Sequence, residues 1–141
     1  MSHDTVRPYT AAPALERLRA GNGRFVRGEA RFHTVQKAVL AALAKRQNPH
    51  ATILGCSDSR GPPELLFDAG FGELFIARLA GNVVSPEVVG TLQYAGVHLR
   101  TQLFVVLGHE GWSRPSASVS VPSFPRSWPS RAHRRTRSSP M

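Results

Sequence analysis

A chain of 141 residues, of which 41% are hydrophobic, is long enough for one folded domain and too short for several. Its single cysteine excludes an internal disulfide framework and indicates a reducing compartment. The N-terminal residues lack the apolar segment of a signal peptide, and no apolar run approaches the roughly 20 residues of a membrane span. We therefore expect a cytoplasmic protein with no membrane partner.

The net charge of +9 is unevenly distributed along the chain. Residues 1–111 hold 12 of the 18 Lys and Arg residues and all nine acids, whereas residues 112–141 hold six Arg and no acid. This second region also contains nine Ser and five Pro, without helical or strand periodicity. Such a composition buries too little apolar surface to offset the entropy of ordering. We predict a folded α/β domain over 1–111 and a disordered Arg/Ser/Pro-rich tail over 112–141.

Two helices are predicted before the first strand. Thr10 can cap a helix that has Pro13 in its first turn, and Gly21 makes the end of this helix uncertain. Its apolar stripe consists of Leu15, Leu18 and Phe25. A second helix is expected over about residues 35–46, where Asn48 and Pro49 follow.

Three short apolar runs, at residues 51–55, 73–78 and 102–107, predict β-strands. A brief helix is expected near Pro63, between the first two runs. A longer helix starts at Ser85-Pro86-Glu87, where a capping hydroxyl, a first-position proline and an acid follow one another. Apolar strands separated by helices are typical of a parallel β-sheet flanked by helices, which is the fold we predict.

Candidate metal ligands follow two of these strands. Cys56 comes directly after the first apolar run and His109 after the third, and sites in parallel sheets lie at the carboxyl ends of strands. Zinc favours thiolate and imidazole ligands. Asp58 can supply a carboxylate ligand or be held by Arg60 through charge-assisted hydrogen bonds. When Arg60 holds it, a water molecule can occupy the zinc, which lowers the pKa of that water to about 7.

Each of these residues also has a purely structural interpretation. A lone cysteine is often a small buried hydrophobe, and a histidine after a strand is often structural. Asp58 and Arg60 could form an ordinary loop ion pair that contributes little when exposed. The occurrence of all four residues in one ordered pattern favours the site.

The folded region resembles a beta-class carbonic anhydrase over roughly residues 13–111. The segments that carry the resemblance are CSDSR at 56–60, GFGELF at 70–75, RLAGN at 78–82, GTLQYA at 90–95 and VVLGH at 105–109. The resemblance implies zinc on Cys56 and His109, with Asp58 and Arg60 as a dyad that gates the fourth zinc position. It further implies reversible hydration of carbon dioxide to bicarbonate by zinc-bound hydroxide, and a homodimer or higher oligomer.

Trp112 is the main departure from that family pattern. The pattern has His-x-x-Cys-Gly at this point, with the cysteine as third protein ligand, and indole offers zinc no lone pair. The predicted metal ligands are therefore Cys56, His109 and Asp58, although ligation would remove Asp58 from Arg60. The abrupt change of composition at residue 112 also suggests an out-of-frame reading of the coding sequence, which the nucleotide sequence would test.

Three hypotheses about function stay open. The first is an active carbonic anhydrase with an altered zinc site. The second is a catalytically impaired family remnant with an incomplete site. The third is a basic tail that binds anions or nucleic acid weakly and without sequence specificity, through four arginines, Arg131, Arg134, Arg135 and Arg137. The third hypothesis describes a non-enzymatic protein, and we expect no specific nucleic-acid partner.

Overall fold

The fold is seen in a computed structural model that describes residues 8–31, 33 and 37–110. The elements in chain order are α1 (Ala11–Val26), α2 (Lys37–Leu43), β1 (Ala51–Cys56), α3 (Pro63–Leu66), β2 (Leu74–Leu79), a 3-10 turn (Ala80–Asn82), α4 (Pro86–Val97) and β3 (Phe104–Leu107). In this part of the chain no helix is both long and apolar enough to cross a membrane. The tail at 112–141 lies outside the described residues, so its disorder stays a prediction.

The three strands form one parallel sheet with the order β2-β1-β3. In its register, Ile53 of β1 lies opposite Ile76 of β2 and Val105 of β3. Because the strands are parallel, their carboxyl ends meet at one edge of the sheet. The predicted parallel sheet flanked by helices is confirmed.

Apolar side chains of β1 supply the core on both faces of the sheet. Residues 51–55 are buried throughout, and successive side chains along a strand point to opposite faces. Ile53 packs with Leu18 of α1, whereas Leu54 packs with Val88 of α4. Helices therefore cover both faces, as a strand that is apolar throughout requires.

The first helix differs from its sequence-based prediction. α1 continues through Gly21 to Val26, and its buried stripe is Ala14, Leu18 and Gly21. Phe25, which was expected in the stripe, is 41% exposed. A β-carbon on Gly21 would lie 1.8 Å from the carbonyl oxygen of Phe67, so this glycine lets α1 approach the end of α3 closely.

The two predicted capping residues lie at N-cap positions without capping through their side chains. Thr10 precedes α1 and Ser85 precedes α4, both with extended backbone, but neither side chain bonds to a backbone N–H of its helix. The Ser85 hydroxyl instead donates to the Glu87 carboxylate over 2.5 Å. Proline at the first position of α4 therefore contributes more to its start than the serine side chain does.

Candidate metal centre

Cys56 and His109 come together at the carboxyl edge of the sheet. Cys56 is the last residue of β1, and His109 follows β3 by two residues. Because Gly55 pairs with Leu107 in the register, the segments that follow β1 and β3 leave the sheet side by side. The Cys56 thiol and the His109 ring lie within hydrogen-bonding contact. The structure therefore brings together two of the three side chains predicted as ligands, each from a different strand.

The surroundings of Cys56 favour its thiolate form. The backbone N–H of Gly81 and the backbone N–H of Asp58, which lies 3.4 Å from Sγ, donate hydrogen bonds to the sulfur. Together with the His109 ring they lower the pKa of the Cys56 thiol to about 7. A thiolate is the form of cysteine that binds metal, so the site is prepared for a soft cation near neutral pH.

The His109 ring has one nitrogen held by the backbone. Nδ1 donates to the carbonyl oxygen of Glu110 over 3.0 Å, an arrangement that fixes the ring orientation and leaves Nε2 for a metal. The contact with Cys56 and the Glu110 carbonyl raise the pKa of His109. A metal binds the deprotonated forms of both groups, so metal binding would release any proton that they hold.

Arg60 binds the Asp58 carboxylate in this structure. The Arg60 side chain donates to Oδ1 over 2.9 Å and to Oδ2 over 2.8 Å, and its backbone N–H donates to Oδ1 over 2.9 Å. These hydrogen bonds hold the pKa of the Asp58 carboxyl well below its usual range. Oδ2 lies 3.9 Å from Nε2 of His109, so the carboxylate is beside the two other candidate ligands without joining them.

The donor set matches zinc in kind but supplies only two immediate ligands. Thiolate, imidazole and carboxylate are the ligands that zinc prefers. Across residues 8–31, 33 and 37–110, no group of three His, Cys, Asp or Glu side chains is arranged to hold a metal ion. Asp58 could complete a trio only after Arg60 releases it. Trp112 lies outside the described residues.

Three residues that hold the site were not among those predicted from the sequence. Arg78 donates to the carbonyl oxygens of Cys56 and Asp58, Gly81 donates to the Cys56 sulfur, and Asn82 donates to the carbonyl oxygen of Leu107. All three belong to RLAGN at 78–82, which the sequence analysis used only as a family signature. An arginine in the last residues of an apolar strand was the available signal.

Comparison with known proteins gives the family of this chain. The sequence model of a family described as carbonic anhydrase matches residues 51–121, half of the chain. The solved structure of the beta-carbonic anhydrase CcaA is similar at a TM-score of 0.53 and 28% identity, over 70% of this chain and 50% of that chain. The chain belongs to the beta-class carbonic anhydrase family. The family match continues past residue 111, so the predicted domain boundary stays a prediction.

Further similar proteins come from bacteria and fungi. A carbonic anhydrase of Mycolicibacterium smegmatis is 39% identical over 108 residues, which are 77% of this chain and 52% of that protein. Tetrameric beta-carbonic anhydrases from the ascomycete Sordaria macrospora are similar at a TM-score of 0.50 and 28% identity, over 72% of this chain and 50% of theirs. The chain thus spans about half the length of the relatives it matches.

Proposed function

We propose that this chain carries the zinc site of a carbonic anhydrase and takes part in the reversible hydration of carbon dioxide to bicarbonate. The observation that carries the proposal is the meeting of Cys56, His109 and the Asp58–Arg60 pair at one sheet edge, in a chain of this family. Cys56 and His109 would hold the zinc. When bound, zinc lowers the pKa of a coordinated water to about 7, which makes hydroxide available near neutral pH.

The chain's own groups would orient the reactants at this site. Arg60 keeps Asp58 ionised, and an ionised carboxylate only accepts hydrogen bonds. Asp58 would therefore accept a hydrogen bond from a hydroxyl group beside His109 and fix the direction of its lone pairs. Arg60 holds Asp58 in this role with both a side-chain fork and a backbone N–H.

One observation favours a second candidate function, a catalytically impaired family member. The described residues offer two immediate ligands, and the third requires Asp58 to leave Arg60. In that case zinc binding and the Asp58–Arg60 pair compete. If Asp58 ligates zinc, it is no longer held by Arg60, and if Arg60 holds it, zinc has only two protein ligands. In either case hydration of carbon dioxide would be slow or absent.

Zinc content and hydration activity measured on the same preparations separate the two candidates. The variants are the unmodified chain, Cys56→Ser, Trp112→Cys, and Arg19→Gln as an exposed control. Activity and zinc in the unmodified chain that Cys56→Ser abolishes would support the enzyme. Zinc that binds about tenfold more tightly after Trp112→Cys, with an inactive unmodified chain, would support the impaired member. Absence of zinc from all four proteins would contradict the proposed site.

We further propose a homo-oligomer in a reducing compartment such as the cytoplasm. The Sordaria macrospora relatives are tetrameric, and several large apolar side chains of this chain are exposed. Cys56 is a free cysteine, and zinc ligation requires a reduced cysteine that can form a thiolate, which a reducing compartment maintains.

A further inference from the structure

The carboxyl end of β2 and the turn after it contact the carboxyl ends of both strands that precede or carry the candidate ligands, although they supply no ligand themselves. β2 lies at one side of the sheet, β1 in the centre and β3 at the other side. Cys56 ends β1 and Asp58 lies in the loop after it, whereas His109 lies in the loop after β3. The loop after β1 keeps one backbone hydrogen bond to β2, from the Ser57 N–H to the Leu79 carbonyl oxygen over 3.1 Å. Among the described residues no backbone hydrogen bond joins the loop after β1 to the loop after β3, so contacts from β2 and the turn after it fix the two relative to each other.

Arg78 holds the loop after β1. Its Nε donates to the carbonyl oxygen of Cys56 over 2.7 Å, and its Nη2 donates to the carbonyl oxygen of Asp58 over 2.5 Å. A guanidinium is a planar fork with rigidly spaced donors, so one side chain fixes two carbonyls at a set separation. The side chains of Cys56 and Asp58 are thereby held at the same edge of the sheet.

Asn82 bonds to the last residue of β3, where the loop that carries His109 begins. Its Nδ2 donates to the carbonyl oxygen of Leu107 over 2.8 Å, two residues before His109. Since Asn82 follows β2 and Leu107 ends β3, this contact reaches over the carboxyl end of β1. Gly81, in the same turn, donates its backbone N–H to the Cys56 sulfur. The 3-10 turn therefore contacts Cys56 at the end of β1 and Leu107 at the end of β3, two residues before His109.

We infer that Arg78 and Asn82 are positioning residues that hold Cys56, Asp58 and His109 in one arrangement, with β2 as a template that contributes no ligand. The inference rests on the proposed zinc function and deepens it. Hydrogen-bond partners of metal ligands commonly change metal affinity by about 10- to 100-fold when they are removed. Arg78, which bonds the backbone carbonyl oxygens of the candidate ligands Cys56 and Asp58, is such a partner.

Zinc affinity provides the first test, by competition with a chromophoric chelator. The variants are Arg78→Gln, Arg78→Lys and Asn82→Gly. Glycine suits position 82 because the Asn82 φ of +51° is a left-handed conformation that a glycine adopts without strain. The matched control is Arg17→Gln, which removes an arginine that bonds Glu73 at the opposite end of the sheet. We expect affinity to fall at least about tenfold for Arg78→Gln and Asn82→Gly, less for Arg78→Lys, and not for the control.

Amide hydrogen exchange on the metal-free proteins provides the second test and needs no zinc. In Arg78→Gln, exchange should accelerate for residues 57–60 and stay unchanged for Ile53 and Leu54 in β1. In Asn82→Gly, it should accelerate for residues 108–110. Acceleration throughout β1 would show a general loss of stability and overturn the positioning role, as would unchanged loops. If the unmodified chain binds no zinc, the proposed function fails, while the exchange measurement still decides the positioning role.

Discussion

Arg60 binds the Asp58 carboxylate, whose Oδ2 lies 3.9 Å from Nε2 of the candidate ligand His109. Arg60 engages it with a side-chain fork and a backbone N–H, and this bonding raises the pKa of the Arg60 guanidinium as it lowers that of Asp58. The Arg60 side chain is nevertheless largely exposed, and exposed ion pairs contribute little to stability because water screens them. A zinc ion held by Cys56 and His109 would therefore compete effectively for Asp58.

Replacement of Arg60 by glutamine should increase zinc affinity. The change removes the charge and the fork that hold Asp58, so the carboxylate becomes available as a third ligand. We expect zinc to bind about tenfold more tightly in Arg60→Gln, measured by chelator competition, and any hydration activity to fall. Arg19→Gln, which removes an exposed arginine on α1, is the control. Unchanged or weaker zinc binding in Arg60→Gln would show that Asp58 is no alternative ligand.

At this scale the sequence predicted which candidate site residues come together better than it predicted the residues that hold them in place. Cys56, Asp58 and Arg60 stand in five consecutive residues, and His109 ends an apolar run, so local order alone indicated a site. The contacts of Arg78 and Asn82 cross between strands and depend on the sheet order β2-β1-β3. No local pattern in the sequence specifies which strands become neighbours, so the support could not be predicted.

The contact between α1 and α3 shows how a single glycine fixes the position of a helix. Gly21 lies on the buried stripe of α1 against the Phe67 carbonyl, and the neighbouring Asn22 side chain donates to the Leu66 carbonyl oxygen over 3.0 Å. From the sequence alone the end of α1 was uncertain here, because glycine disfavours helices. The helix continues through Gly21 because this residue packs against the Phe67 carbonyl, where a side chain would not fit. Strand positions, which follow from apolar runs, were predicted to within two residues.

Two alanine substitutions in α1 should have opposite effects on stability. Gly21→Ala would place a methyl group against backbone that cannot yield, and we expect a loss of about 1–3 kcal/mol in the free energy of unfolding. Gly23→Ala meets only the flexible end of Arg27 at 3.3 Å, and we expect a gain of up to about 1 kcal/mol from helix propensity. Urea denaturation measures both. Equal effects would show that the close approach of α1 to α3 does not constrain the fold.

Asp68 ties the segment after α1 to the end of α3. Its carboxylate is 1% exposed and accepts hydrogen bonds from Nε of Arg24 over 2.5 Å, from Nε of Arg31 over 3.0 Å and from the Arg31 backbone N–H over 2.8 Å. Burial raises the pKa of the Asp68 carboxyl, but the two arginines outweigh burial and hold this pKa at about 2. The folded state therefore favours the ionised carboxylate.

Asp68→Asn should destabilise the protein in a pH-dependent way. Since the folded pKa is depressed, the stabilisation is complete above the unfolded pKa of about 4 and is lost as pH falls toward about 2. Near neutral pH we expect the variant to be less stable by about 1–2 kcal/mol, with a difference that shrinks over this acidic range. Asparagine also tolerates the Asp68 φ of +45°.

Urea denaturation at several pH values measures that difference. Glu16→Gln is the control, because the Glu16 carboxylate is exposed and pairs only weakly with Arg19. We expect the control to differ from the unmodified chain by less than about 1 kcal/mol at every pH. A difference for Asp68→Asn that is constant from neutral to strongly acidic pH would show that the arginine pairing does not stabilise the fold.

The molecule as a whole is organised around β1, which is buried on both faces and paired on both sides. β2 and β3 form the two edges of the described sheet. Apolar side chains remain exposed outside this core, and Leu65 and Phe71 line one surface depression at 64% and 58% exposure. Large apolar side chains that lie exposed on one surface commonly mark interfaces between proteins. The tetrameric relatives make a second copy of the chain the partner we expect there.

Sedimentation should therefore show a species heavier than the 15.4 kDa chain, and Phe71→Glu should weaken the association at least about tenfold. The charged side chain would have to be desolvated inside an interface, whereas in the monomer it would stay in solvent and leave the core intact. Phe71→Leu is the matched control, because it keeps an apolar side chain at the same position and should still associate. A chain that stays monomeric at high micromolar concentration, or a Phe71→Glu variant that associates as tightly as Phe71→Leu, would show that this surface does not bind a second copy.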